Sequence, residues 1–492
     1  MTQAVRVSDT ATAPPLAVDL DGTLVECDTL LESLLLLAKR DPLSLFRIPA
    51  WMLRGKAAFK RAVTDRVALD VAQLPYDDRL LERLREEHGS RRIVLCTAAD
   101  QRIADSVAQH VGIFDEVLAT GGDRNLSSTT KAALLVERFG ERGFDYVAND
   151  VVDIPVFQAA RHAWVVNPTP ALERAKHKIS NIDWTLPRRA AGSTDWWRAL
   201  RPHQWVKNLL VFLPLLATVD AGHLKAIGPA TLAFISFSLV ASSVYVLNDL
   251  MDLPDDRRHP RKRKRPLAAG KISVPEAMLL GTLSLVLGVT AGALVSNLFL
   301  VALFLYLVAT TLYTVLFKRI PLLDTLVLSG LYTMRILAGA AAIRVVPSVW
   351  LLAFSMFFFL SLALAKRHSE LLELQGTQSG GWIPGREYRP DDLQVLISQG
   401  SASGYSAVLV LALYINSDTV RSQYQYPEFI WLICPLLIYW LNKLWLSSQR
   451  QQIRDDPVIW AMTNRVSRAI AALTVLLLVL ARLLPRVLPR PE

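Results

Sequence analysis

Nine long apolar runs fill the last three-fifths of this 492-residue chain, and they constrain its fold more than any other feature. They fall at about 206–219, 228–248, 276–295, 297–316, 322–343, 348–365, 402–416, 428–446 and 466–484. Several approach the roughly 20 residues that a helix needs to cross a hydrocarbon layer. The first and seventh are the shortest. With 52% hydrophobic and 20% charged residues, the chain is neither disordered nor an ordinary soluble protein. Three widely spaced cysteines, Cys27, Cys96 and Cys434, form no disulfide framework or metal cluster.

Charge divides the chain in the same place. Residues 1–195 hold 25 Lys+Arg and 27 Asp+Glu, a net −2; the remainder holds 29 and 17, a net +12. The basic residues of the second part sit in alternate loops: eight within 257–271, then Lys318 and Arg319, then Lys366, Arg367, Arg386 and Arg389, then Lys443, Arg450, Arg454, Arg465 and Arg468. Opposite loops hold only Lys225, Arg344 and Arg421, so the rich loops are expected on the cytoplasmic side of a cell (inner) membrane. Arg482, Arg486 and Arg490 fit that pattern less well. Met1–Pro15 is polar and Ala/Thr-rich, so no signal peptide is expected there and the first part is expected to stay in the cytoplasm. The basic excess belongs to membrane loops, and no nucleic-acid partner is expected.

The first part alternates strand and helix. Strands are expected at 16–20, 92–97, 145–150 and 163–166, with helices at Asp100–Val111 and Thr129–Arg138 between them. This is the pattern of a doubly wound parallel α/β sheet, whose functional groups sit at the carboxyl ends of strands. Residues 28–88 interrupt it as a helical cap. Within the cap, Leu30–Leu53 is very apolar but carries Glu32, Lys39, Arg40, Asp41 and Arg47. It reads as a buried cap core or as an amphipathic surface lying on the bilayer or the second domain. The domains expected are 1–184, a linker at 185–200 with Trp196 and Trp197 suited to a membrane interface, and 201–492.

Two carboxylates, Asp19 and Asp21, stand at the tip of the first strand in Asp-Leu-Asp-Gly-Thr. One can attack a phosphoryl group and the other can serve as acid/base. Thr97 can hold a phosphoryl oxygen, Lys131 can neutralise it, and Asp153 can help hold Mg²⁺. These residues resemble the haloacid dehalogenase (HAD) phosphohydrolase superfamily over 16–175. The resemblance implies Asp19 as nucleophile, Asp21 as general acid/base, and Mg²⁺ as cofactor near Asp19, Asp21 and Asp153. Where the family carries Gly-Asp-x-x-x-Asp, this chain has Ala148-Asn149-Asp150-Val151-Val152-Asp153, with an amide in place of an acid. Asp150 can substitute by a one-residue shift; otherwise the domain is a weak or inactive phosphatase kept for regulation or docking.

The second cluster is Tyr245–Gly270. Asn248, Asp252 and Asp256 are spaced by four, on one face of a helix, with Asp249 beside them. Polar groups at the end of an apolar helix are costly unless they bind something. Oxygen ligands suit Mg²⁺ carrying a diphosphate, and Arg257, Lys262, Arg263 and Arg265 follow at once as anion contacts. The run alone would be only a topology anchor. The combination resembles the UbiA superfamily of intramembrane prenyltransferases over about 198–484. It implies a nine-helix bundle with Mg-diphosphate chelated by Asn248, Asp252 and Asp256, with Asp252 central to turnover.

Aromatic prenyltransferases of that superfamily usually carry a second DxxxD motif after the sixth span. Here that loop begins Leu364-Ala-Lys366-Arg367-His368-Ser-Glu370 and offers cations. Together with Arg201-Pro-x-Gln204-Trp205-x-Lys207-Asn208, Tyr313-x4-Lys318, and Asp324 with Arg335, this resembles decaprenyl-phosphate phosphoribosyltransferases. That implies 5-phosphoribosyl diphosphate as soluble donor and a lipid-linked polyprenyl phosphate as acceptor. Lys207, Lys318, Arg335, Lys366 and Arg367 are expected to meet the phosphates that metal does not neutralise. Arg335 stands out as a charge inside an apolar span, expected to face a functional cavity. Two other classes stay open: prenyl transfer to an aromatic acceptor such as 4-hydroxybenzoate, and a non-enzymatic anchor or transporter with a regulatory head.

Overall fold

The computed structural model describes residues 13–122, 125–217, 223–375, 387–418, 420, 424, 426–453 and 456–483. Arg386, Arg421, Arg454, Arg486 and Arg490, counted above among the loop cations, lie outside the described residues. The chain forms two compact units. One runs to Leu200 and includes Val246–Leu280; the other comprises Arg201–Tyr245 and the chain from Gly281 onward.

The first unit is built on six parallel strands: β1 (Ala13–Val18), β2 (Arg91–Asp100), β3 (Glu116–Thr120), β4 (Asp145–Ala148), β5 (Ala163–Val166) and β6 (Ile182–Leu186). Their order is β3-β2-β1-β4-β5-β6, so β1 and β4 are central neighbours. All four residues of β4 and of β5 are buried, as in parallel sheets covered on both faces. This is the expected parallel α/β fold, with two more strands than the sequence suggested. Both extra strands lie at the sheet edges, where β3 is short and β6 alternates half-buried with exposed residues, so neither shows a continuous apolar run.

The cap opens with α1 (Thr29–Arg40), started by the Asp28 side chain accepting from Leu31 N, followed by α2 (Ile48–Leu53) and α3 (Lys56–Thr64). Leu36, Leu37, Trp51, Val63 and Val67 give it a small core. Leu43, Phe46, Met52 and Leu53 remain exposed. Another face of α1 places Leu31 and Leu35 against Val246, Leu250, Leu253 and Leu267.

In the second unit, apolar helices follow one another. Among the described residues, seven helices are long and apolar enough to cross a membrane, and an eighth span arises if the pair Pro457–Thr463 and Arg465–Arg482, bent by 78°, is taken as one. The protein is therefore an integral membrane protein. Nine spans are not reached among the described residues, and the reason is local. The first apolar run folds as a 3-10 helix, Pro202–Phe212, and a five-residue helix, Leu213–Ala217, neither long enough to span. Its backbone packs closely on the helix Leu323–Ile343, where a Cβ added at Gly339 would lie 2.0 Å from the Val211 carbonyl oxygen. Small residues at such contacts let membrane helices approach. The helix Asn297–Val315 shows the expected sidedness: Phe299, Leu303, Tyr306 and Thr310 are buried, whereas Leu298, Val301, Phe304, Leu305 and Val308 are exposed.

Candidate functional sites

At the carboxyl end of β1, Asp19 and Asp21 lie in the turn to the cap. Lys131 Nζ, on the helix Ser128–Phe139, is 3.0 Å from Asp19 Oδ1 and 3.1 Å from Asp153 Oδ1. Tyr146 on β4 completes the set: its hydroxyl accepts from Lys131 at 2.9 Å and donates to Asp153 at 2.9 Å. Tyr146 was absent from the expected site, because an aromatic residue in a buried strand reads as core. The cap contributes Lys60, whose ammonium donates to the Ala98 carbonyl at 2.6 Å and Asn125 Oδ1 at 2.9 Å; nothing in its helix marked it.

Burial raises the Asp19 carboxyl to about 6 against the opposing pull of Lys131. It raises Asp21 to about 7, with Asp28 adding to the effect, while the Thr29 amide donates to Asp21 Oδ1 at 2.8 Å. Thr97, fully buried, accepts from the Ala99 amide at 3.0 Å. Asn149 follows β4 and faces the turn of Asp19 and Asp21. A Cβ at Gly22 would meet its Nδ2 at 2.2 Å, and the Gly22 φ of +71° also favours glycine. Asp150 instead accepts from the Val152 amide at 3.4 Å, so Asn149 and not Asp150 is aimed at the turn. Asp153 is engaged by Lys131 and Tyr146.

The second cluster lies where the long helix His223–Met251 passes into the short helix Leu253–Arg258. Backbone bonds from Asp252 N to Asn248 O (2.9 Å) and from Asp256 N to Asp252 O (2.8 Å) keep the helical step across the joint. Asn248, Asp252 and Asp256 therefore lie one turn apart. Each acid has a cation beside it. Lys39 Nζ is 3.1 Å from Asp252 and 2.7 Å from Asp255; Arg265 contacts Asp256 and lies 3.2 Å from Asp249. Asn248 Oδ1 is buried and has no hydrogen-bond partner among the described residues. An orphaned buried carbonyl oxygen is costly, and one aligned with two carboxylates is a natural oxygen ligand.

No three His, Cys, Asp or Glu residues form a ready cage among the described residues. The donor set still fits Mg²⁺, which is typically held by one or two carboxylates together with substrate phosphates. Arg257 departs from its expected role as an anion contact. It gives both guanidinium ends to Glu32, at 2.7 and 2.6 Å, because that buried carboxylate needs a partner. Lys262 and Arg263 are exposed on the following turn.

The second unit gathers the remaining candidates. Lys207 and Lys366 share one carboxylate oxygen, Asp456 Oδ2, at 2.6 and 3.3 Å. Asp456 was not singled out from the sequence, where it is one acid in a polar loop. Arg335 is buried. Its donors go to Asn208 Oδ1 (2.9 Å), the Leu331 carbonyl (2.6 Å) and the Tyr306 hydroxyl (3.1 Å), with the rings of Phe237, Tyr306 and Tyr332 around it. Asn208 is itself fully used, donating to Ser238 at 3.0 Å. Arg367 is taken by Asp324 and Glu370, both at 2.5 Å, and by the Tyr313 hydroxyl at 2.9 Å. Asp324, grouped with Arg335 in the sequence, is a buried acceptor for Arg367 and Tyr388. Lys318 lies on the short turn Phe317–Arg319, partly exposed.

A family model described as the UbiA prenyltransferase family matches residues 209–464. An uncharacterized protein, y4nM, of Sinorhizobium fredii is 36% identical over 464 residues, covering 93% of this chain and 89% of that one. The decaprenyl-phosphate phosphoribosyltransferase of Mycobacterium tuberculosis is 41% identical over 182 residues; the match covers 35% of this chain and 59% of that enzyme. Among solved structures, a UbiA homologue from Archaeoglobus fulgidus bound to GPP and Mg²⁺ is similar with a TM-score of 0.44 and 17% identity, over 57% of this chain and 99% of that one. The chain belongs to the UbiA prenyltransferase family.

Proposed function

We propose that this protein transfers a 5-phosphoribosyl group from 5-phosphoribosyl diphosphate to a polyprenyl phosphate at the cytoplasmic face of the cell membrane. The observation that carries the reading is Arg335. It is a buried guanidinium in an apolar helix, and its hydrogen-bond partners among the described residues are all neutral. An uncompensated charge there is expensive unless an anion meets it. Lys207 and Lys366, sharing a single carboxylate, add a second net positive charge. Prenyl transfer to 4-hydroxybenzoate would bring one acceptor carboxylate beside the metal-bound diphosphate, whereas the phosphoribosyl reaction brings two further phosphates, which suits this larger number of cations better. The relatives that carry the decaprenyl-phosphate phosphoribosyltransferase name support the same choice, over the part of their length that this chain matches.

In this reading Asn248, Asp252 and Asp256 would hold the Mg²⁺, which neutralises the diphosphate and eases its departure. The lipid phosphate oxygen attacks the anomeric carbon, the bond from that carbon to the diphosphate oxygen breaks, and diphosphate leaves. Lys207, Lys366 and Arg335 hold the phosphate groups that the metal leaves uncovered. The HAD-like domain then removes the 5-phosphate of the lipid product. Asp19 is the nucleophile, Asp21 the acid, and Lys131 and Thr97 contact the phosphoryl group. Holding both sites on one chain raises the local concentration of product at the second.

Purified protein given Mg²⁺, polyprenyl phosphate and ribose-labelled 5-phosphoribosyl diphosphate should carry label into the lipid phase. Label moving instead from a prenyl diphosphate into 4-hydroxybenzoate would overturn the reading. The lipid product should then release inorganic phosphate, and Asp19→Asn should abolish that release while lipid labelling continues.

A further inference from the structure

The cap helix α1 presents one face to the acidic segment of the same compact unit, and the residues on that face are not those of an ordinary core contact. Leu31 and Leu35 join the apolar cluster of Val246, Leu250, Leu253 and Leu267. Glu32, between them, forms the two-pronged pair with Arg257, and both side chains are under a tenth exposed. Lys39, two turns beyond Leu31 and Glu32, ends 3.1 Å from Asp252 and 2.7 Å from Asp255. Positions 31, 32, 35 and 39 make a single stripe at helical spacing. Arg258 with Asp70, at 2.6 Å, fastens the segment a second time.

The two polar contacts differ in kind. Glu32 and Arg257 are a buried, fully matched pair, which fixes position. Lys39 is 21% exposed and meets carboxylates that are a third or more exposed. A partly exposed ion pair of this kind contributes little to stability. Its ammonium nevertheless stands on the carboxylate assigned above to the metal.

We propose that the cap of the HAD-like domain completes the transferase's diphosphate site, with Lys39 supplying an ammonium that contacts the donor's phosphate oxygens. The inference rests on the metal reading of Asn248, Asp252 and Asp256. A divalent cation and diphosphate together keep an excess of negative charge that protein cations must meet. In this unit the cations on the acidic row are Lys39 and Arg265. Lys39 has four flexible carbons and a fixed base, so its ammonium can pass from Asp252 to an adjacent phosphate without moving the helix. The fused domain is then a structural part of the transferase, and neither a tether nor only a second enzyme.

The test uses the purified full-length protein and inorganic diphosphate as the probe, which is independent of the donor's organic group. Binding of Mg-diphosphate is measured by titration calorimetry, and binding of Mn²⁺ alone by electron paramagnetic resonance. Lys39→Met should weaken Mg-diphosphate binding about tenfold, the loss of one charge-assisted hydrogen bond. It should leave Mn²⁺ binding equal or tighter, since a competing cation has gone. Lys39→Arg should recover most of the diphosphate affinity. A merely unfolded variant would lose both ligands, so the split itself reports the role. Unchanged or tighter Mg-diphosphate binding by Lys39→Met overturns the inference and leaves the metal reading standing. Wild-type protein that binds no Mg-diphosphate overturns both.

Discussion

Arg335 shows how one residue separates what sequence can say from what it cannot. Its place in an apolar helix was visible from the run of residues around it. Its surroundings were not: Asn208, Tyr306, Phe237 and Tyr332 come from distant parts of the chain. The same holds for Asp456, which looked like a loop acid and turns out to join Lys207 to Lys366. Arg257 is the opposite case, since a motif position expected to bind an anion is occupied by Glu32. Arg335→Met keeps the stem and removes the charge. It should lower lipid labelling at least tenfold through weaker acceptor or donor binding, while thermal stability holds or rises, because a buried charge replaced by an apolar group is often neutral or stabilising. A fall in both activity and melting temperature would instead make Arg335 a structural residue. In the site at the carboxyl end of β1, Tyr146→Phe removes the hydroxyl between Lys131 and Asp153. It should cost about 1–3 kcal/mol of stability, read by denaturant unfolding, because two buried polar groups lose a partner.

Elements were legible where periodicity was long, and obscure where geometry depended on neighbours. The central strands, the cap and the long apolar helices follow directly from their residue patterns. The edge strands β3 and β6 did not, for lack of an unbroken apolar run. The first apolar run did not become a span, and its path is set by contact with Gly339 rather than by its own composition. Gly339→Ala should therefore displace the 3-10 segment Pro202–Phe212, which carries Lys207 and Asn208, because the new methyl would sit 2.0 Å from the Val211 carbonyl. The expected result is a loss of about 1–3 kcal/mol, read as a lower melting temperature, with lipid labelling impaired. Full stability in that variant would contradict the close approach. At α1, Glu32→Gln leaves Arg257 buried without its counter-charge and should cost about 3–5 kcal/mol of the cap's docking. Limited proteolysis should then cut within residues 28–88 faster than in wild type.

For the molecule as a whole, the two clusters of chemistry, Asp19 to Asp153 and Asn248 to Asp256, belong to one compact unit, although about a hundred residues part them in sequence. The two halves looked separable because charge and hydropathy change sharply near residue 195, and composition reports solvent, not contacts. The pairs that cross this boundary, Glu32 with Arg257, Lys39 with Asp252, Asp70 with Arg258, Asp195 with Lys271 and Arg188 with Glu276, are polar and invisible to hydropathy. Removing residues 1–200 should therefore not release an independent transferase: it uncovers Val246, Leu250 and Leu253, and aggregation or loss of Mg-diphosphate binding is expected. The account stands on a divalent cation gripped by Asn248, Asp252 and Asp256 together with a diphosphate. The most direct measurement is an anomalous difference map from crystals grown with Mn²⁺ and diphosphate. A peak within ligand distance of Asn248 Oδ1 and the two carboxylates is the expected result; a fully occupied cation elsewhere in the protein, with these three side chains unliganded, would contradict it.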